Sequence, residues 1–255
     1  MDFENFSAGT SIMHAADVRL KLIGALFFSV VVALCHSLSG AGLALLIGLV
    51  LLAGARLAPL QVARRLLLVN LFLLFFWGTL PFSAAGPAFD FGLLHISQAG
   101  VRLATLVTLK TNAIIMVFLA LVATSSMVAI GHGLAALRLP NRLCVLLLFT
   151  YRYIFVLQQE YQRLRRAALL RGFVPATSLH TYRTYGNLLG MTLVKSWQRG
   201  IRVQQAMQLR GFQGRFYLLT PPAVRGRDWL LFVLLLTAAS AVAVTELTSR
   251  AGGCP

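Results

Sequence analysis

Acidic side chains are scarce in this sequence. Seven Asp and Glu stand against 23 Lys and Arg, a formal net charge of +16. The interiors of the long apolar runs hold no Asp or Glu, Glu246 lying at the end of the last run. A proton relay or carboxylate-lined cation path within this chain would need ionisable groups at membrane depth, so neither is expected. Lysine is equally scarce: Lys21, Lys110 and Lys195 are the three present, and none follows a glycine. A P-loop needs Gly-Lys-Ser/Thr to cradle phosphates, so the chain has no ATPase site of its own. Three cysteines (Cys35, Cys144, Cys254) form no CxxC and no disulfide framework. His14, His36, His95, His132 and His180 are scattered, without the spacing of a metal site. Cys35 and His36 are adjacent, but neighbouring side chains on a helix point apart. No acid, base and nucleophile cluster together, and an enzyme is not expected.

What is present is apolar. Hydrophobic residues make up 58% and charged ones 12%, against ~45–50% and ~25% in globular domains. The class is an all-α polytopic membrane protein, and its apolar runs exclude the nucleic-acid partner that +16 alone would suggest. Five spans are expected, at residues 22–38, 41–55, 66–80, 101–123 and 228–247. The first two are near the lower limit of ~17–25 residues for a spanning helix. Gly24, Gly42, Gly48 and Gly54 suit close helix packing in lipid. Pro81 is expected to end the third span, and residues 82–99 read as a Ser-, Gly- and Pro-rich connection. Lys110 falls inside the fourth span, either as a snorkelling or bundle-facing polar contact or as part of a substrate path. The first twenty residues carry Asp2, Glu4 and Asp17 and no early basic region, so the first span is expected to be retained.

Cations set the orientation. Arg19 and Lys21, then Arg56, Arg64 and Arg65, then residues 138–227 are expected on the cytoplasmic side. That gives a cytoplasmic N-terminus and an outside C-terminus, with Arg102 near the outer face. The chain divides into a four-span membrane domain (1–138), a cytoplasmic helical region (139–227), and a final span with a short tail (228–255).

Residues 138–227 hold 15 of the 23 cations and one acid, Glu160. Two long helical patterns are expected there, from Pro140-Asn141 to Arg171 and from about Tyr182 to Arg210. The first half of the former, around 143–157, is apolar enough to lie in or against the bilayer. The latter carries Leu189, Leu193, Trp197 and Ile201 at i+4 steps, a stripe of helical period. The two patterns end alike. Arg163-Leu164-x-x-Ala167-x-x-Leu170-Arg171-Gly172-Phe173 returns 39 residues later as Arg202-Val203-x-x-Ala206-x-x-Leu209-Arg210-Gly211-Phe212, with six identities. One copy could be a plain helix cap, Gly following the helix end and Arg favouring the dipole. A plain cap does not require Arg, Ala, Leu and then Arg-Gly-Phe at fixed spacing twice. The spacing puts Arg163, Ala167, Leu170 and Arg171 on one side of a helix end, and Arg202, Ala206, Leu209 and Arg210 likewise. Two such tips suit two equivalent acceptors, a dimer or a pair of similar subunits, with the Arg fork on a carboxylate or carbonyl cluster. Arg166 and Arg199 add to the basic face. Anchoring to anionic membrane lipid explains the charge but not the repeat.

At these residues the chain resembles the T component of energy-coupling factor (ECF) transporters, in the CbiQ-like branch for cobalt or nickel uptake. The family carries two Ala-Arg-Gly-type motifs at the ends of two coupling helices. The matching positions here are Leu170-Arg171-Gly172 and Leu209-Arg210-Gly211, with Leu where many members have Ala. The opening run Ser11-Ile12-x-His14-x-x-Asp17-x-Arg19-x-Lys21-Leu22 is similar to the family's. The resemblance implies a non-catalytic scaffold in a prokaryotic cytoplasmic (inner) membrane. Its implied partners are two ABC-type ATPase subunits, which carry the ATP and Mg, a substrate-binding membrane subunit (S component), and in some complexes a small accessory membrane subunit. This chain would hold no cofactor and no metal. Two other readings stay open: a pore-forming permease subunit of an ordinary ABC importer, and a non-transporting membrane anchor with an anionic-lipid-binding basic face.

Overall fold

The computed structural model describes residues 12–83, 88–91, 94–213 and 226–251. Ser11 of the opening run lies outside them. The chain forms two compact units, residues 1–130 with 221–255, and residues 131–220.

The first unit begins with a helical turn, α1 (Ile12–Ala15), and then α2 (Val18–Leu34). Asp17 caps α2, its carboxylate accepting from the Arg19 N–H at 2.9 Å. The helix therefore starts and stops four residues earlier than the expected span, because Arg19 and Lys21 are good helix formers as well as charged. Next come α3 (Leu38–Ala55), capped by Ser37, and α4 (Pro59–Ser83). Pro59 opens α4 at its first position, where a missing N–H costs nothing. Pro81 does not end α4; it sits in the last turn. The connection beyond folds into a hairpin, β1 (Ala88–Phe91) antiparallel to β2 (Leu94–Ser97), with Phe91 opposite Leu94. Helices α5 (Gln98–Leu121), α6 (Met127–Ala136) and, at the end of the chain, α9 (Gly226–Ala251) complete the list outside the second unit's long pair.

Helices α2, α3, α5 and α9 meet in one core. Phe28, Val32, Ala44, Ala113, Val117, Ala239 and Val242 are among its fully buried members. All of these but Phe28 are alanine or valine, which lets helix backbones approach closely, as association in lipid requires. Gly24 and Gly48 serve the same end: a Cβ at Gly24 would lie 2.9 Å from Leu235 Cδ1, and one at Gly48 3.2 Å from the Ala113 carbonyl. Gly42 does not, since nothing lies within 4 Å of its Cβ position. Helix α4 packs on α5 and leaves Leu67, Leu68, Leu71, Phe72, Leu74 and Phe75 exposed, a lipid-grade face.

Several polar side chains in this unit are paired internally. Lys110 Nζ donates to the Ala33 carbonyl at 2.9 Å, in the last turn of α2 where carbonyls lack helical partners. Of its two readings, the bundle-facing contact is the one observed. Asn112 Nδ2 donates to Asn70 Oδ1 and Trp77 Nε1 to Thr108 Oγ1, joining α4 to α5. Lys21, buried, donates to Ser125 Oγ at 3.1 Å. Glu246, also buried, accepts from the Ser37 N–H at 2.9 Å and the Cys35 thiol at 3.1 Å, strapping the α2–α3 turn to α9. Glu246→Leu is expected to destabilise the unit by about 1–3 kcal/mol for each donor left buried and unpaired. Thermal unfolding in detergent measures it, and an unchanged transition would remove the strap from this account.

Among the described residues, five helices are long and apolar enough to cross a membrane: α3, α4, α5, α9 and α7 (Asn141–Leu170). Four coincide with expected spans. The expected first span is α2, whose 17 residues reach ~25 Å against a hydrocarbon core of ~30 Å. The apolar first half of α7 is what qualifies that helix.

Candidate functional site

The second unit is built on α7 and α8 (Leu179–Leu209). Pro140 precedes α7, and the chain turns between the helices over residues 171–178. The turn is fixed from within. Ser178 Oγ caps α8 by accepting from the Thr181 N–H at 3.3 Å, and Thr181 Oγ1 accepts from the Ala176 N–H at 3.2 Å. That cap starts α8 three residues before the expected Tyr182. The helices run antiparallel against each other, pinned by Lys195 Nζ donating to Glu160 Oε1 at 2.6 Å. Glu160, the sole acid of the region, is thus used to register the pair; its singularity in the sequence was the available signal.

Both helices end in the same cap. Arg171 and Arg210 occupy the C-cap position with nearly equal backbone angles, φ −87° and ψ 13° against φ −87° and ψ 7°. Gly172 and Gly211 follow in the left-handed region at φ +84° and +74°. The Phe173 N–H donates to the Ala168 carbonyl and the Gly172 N–H to Leu169; Phe212 donates to Met207 and Gly211 to Gln208. This is the Schellman pattern in full, and it accounts for both glycines, since a Cβ is disfavoured at such φ.

The cap does not account for the surface. Arg163, Ala167, Leu170 and Arg171 are all exposed, and so are Arg202, Ala206, Leu209 and Arg210. Leu170 is 89% exposed and Leu209 90%. A leucine held that far into solvent beside an arginine, at the end of a rigid helix, is a presented group. Arg166 is exposed as well, and Arg199 half-buried. Arg163 reaches back toward Glu160 at 3.9 Å. The antiparallel arrangement separates the tips. Phe212, of the second tip, lines a cleft with Phe149, while Leu170 lies about twenty residues along α7, so about 30 Å away at ~1.5 Å per residue. Beneath the surface, Phe173 packs edge-on to Tyr185 at 5.7 Å, and Phe212 is one of the residues lining the cleft. On α8 the stripe Leu189, Leu193, Trp197 and Ile201 is exposed along its length, with Trp197 at 74%.

Comparison with known proteins gives this arrangement its context. Residues 9–218 match the CbiQ family, described as cobalt transport protein. The chain belongs to that family. The matched range covers both tips and all helices but the last. Among curated relatives, the energy-coupling factor transporter transmembrane protein EcfT of Brevibacillus brevis is 26% identical over 221 residues, 81% of this chain and 82% of that protein. The nickel permease LarQ of Lactiplantibacillus plantarum is 33% identical over 98 residues, 38% of this chain and 35% of LarQ. An uncharacterized protein, MJ1089, of Methanocaldococcus jannaschii is 28% identical over 120 residues, 47% of this chain and 44% of its own length. The chain is a multi-pass membrane component of a transporter, an ECF-type T component of the CbiQ kind.

Proposed function

We propose that this CbiQ-family chain is the coupling scaffold of a metal importer. Arg171 and Arg210, with Leu170 and Leu209, dock on two ABC-type ATPase subunits, one tip on each. ATP-driven movement of those subunits shifts α7 and α8, and the helices tilt a separate substrate-binding membrane subunit. The exposed Leu189–Leu193–Trp197 stripe of α8 is the surface offered to that subunit. Cobalt or nickel is the cargo, held by the other subunit; the descriptions of the family and of LarQ support that choice. The N-terminus faces the cytoplasm and the C-terminus the outside, on the distribution of Lys and Arg.

One observation carries the reading: two identically capped, fully exposed Leu-Arg tips at opposite ends of one antiparallel helix pair. A single pore-forming permease chain has no use for two matched tips about 30 Å apart. The test is to purify the complex from its own membrane, identify its subunits and measure bound metal. Two ATPase copies or paralogues with cobalt or nickel are expected. A complex without an ATPase would sink the proposal.

The docking chemistry is separately testable. A guanidinium presents a planar fork of donors, whereas an ammonium is a point charge. Arg210→Lys is therefore expected to lower uptake by about tenfold, one lost charge-assisted hydrogen bond at ~1.5 kcal/mol. Full uptake by that variant would reduce the contact to simple charge attraction.

A further inference from the structure

The cleft beneath the second tip has a volume of about 540 Å³, inside the ~300–1,000 Å³ range of ligand sites. Phe149, Tyr153, Leu157, Val203, Met207 and Phe212 form its walls, and Arg199 stands half-buried at its edge. Two features specify an occupant. The α7 wall belongs to the half of that helix apolar enough to enter a bilayer, so acyl chains reach it directly. The second is charge: Glu160, the one acid in residues 131–220, lies 2.6 Å from Lys195 and also faces Arg163 and Arg199, so three cations share one carboxylate. An apolar peptide segment would fill the cleft without supplying a counter-charge. An amphiphile with an anionic head supplies both, and a phosphate suits the guanidinium fork.

We propose that this cleft binds one anionic phospholipid of the surrounding membrane, with an acyl chain against Phe149, Tyr153 and Met207 and the phosphate on Arg199. Met207 and Phe212 are also the two residues joined by the capping hydrogen bond of the second tip, at 3.0 Å. A lipid lodged there lies directly beneath that cap. The site stands on the cleft alone and does not depend on the coupling role.

The test uses the full chain, delipidated in detergent, then exposed to phosphatidylglycerol or phosphatidylcholine and read by native mass spectrometry. One retained phosphatidylglycerol per chain is expected, in preference to phosphatidylcholine. Arg199→Gln is expected to weaken retention about fivefold, the effect of one interfacial cation. Gly200→Leu is the filling variant: Gly200 lines the cleft, nothing lies within 4 Å of its Cβ position, and leucine raises helix propensity. It is expected to abolish retention with helicity unchanged by circular dichroism. Arg183→Gln removes the same charge from an exposed site away from the cleft and is expected to change nothing. Equal losses in the Arg183 and Arg199 variants would mean diffuse adsorption and overturn the site. So would undiminished retention by Gly200→Leu, or a co-purified polypeptide that excludes the lipid from the cleft.

Discussion

Arg171→Glu combined with Arg210→Glu is expected to abolish both co-purification with the ATPase pair and metal uptake, while the chain stays in the membrane. Each substitution reverses a charge on a fully exposed tip, so neither disturbs packing within the chain. Truncating one partner of a buried, hydrogen-bonded charge pair costs ~2–5 kcal/mol, about 30- to several thousand-fold in affinity, and reversal adds repulsion to that. On the proposed docking the two tips form a bivalent contact, so a single variant would keep the other tip and retain measurable association. The double variant keeps neither. Membrane content by immunoblot, pull-down of the ATPases and uptake of labelled cobalt or nickel separate the outcomes. Undiminished uptake would remove the tips from the mechanism. Loss of the chain from the membrane would instead assign Arg171 and Arg210 a folding role that their exposure argues against.

Much of this was legible in the amino acids. The apolar runs located the membrane-grade helices of the first unit, with edges off by up to seven residues, because burial in lipid demands uncharged stretches of sufficient length. Their edges were misplaced where charged residues continue a helix, as Arg19 and Lys21 do in α2 and Arg64 and Arg65 in α4. Reading charge as a stop signal trims such helices. The matched helix ends were legible for a different reason: a repeat shows in the sequence without any knowledge of packing. What could not be read was pairing across distance. Lys110 with the Ala33 carbonyl, Glu246 with Cys35 and Ser37, and the cleft between Phe149 and Phe212 depend on which helices become neighbours. No local pattern fixes that. The same limit applied to the glycines, where four looked alike and the structure crowds Gly24 and Gly48 but leaves Gly42 open.

That contrast supplies the second large effect. Gly48→Leu is expected to deplete folded protein from the membrane, and Gly42→Leu to leave it unchanged. At Gly48 even a Cβ would lie 3.2 Å from the Ala113 carbonyl oxygen and 3.2 Å from Met116 Cβ. The first of those is backbone of α5 and cannot swing aside, so a leucine must lift α3 from α5. Overpacking of this kind costs ~1–3 kcal/mol and sometimes more, a large part of the ~5–15 kcal/mol by which proteins are stable. The core residues Ala44, Ala113 and Val117 would separate with it. Gly48→Ala needs only a few tenths of an ångström of relief and is expected to fall between. At Gly42 nothing lies within 4 Å of the Cβ position, so the side chain enters open space, and a substitution that clashes with nothing stays within about 0.5 kcal/mol. Detergent-extracted yield and unfolding temperature measure all three. Equal behaviour of the Gly42 and Gly48 variants would refute the α3–α5 contact as drawn. The two large effects are also orthogonal: the tip variant loses partners and keeps the fold, whereas Gly48→Leu loses the fold with both arginines intact.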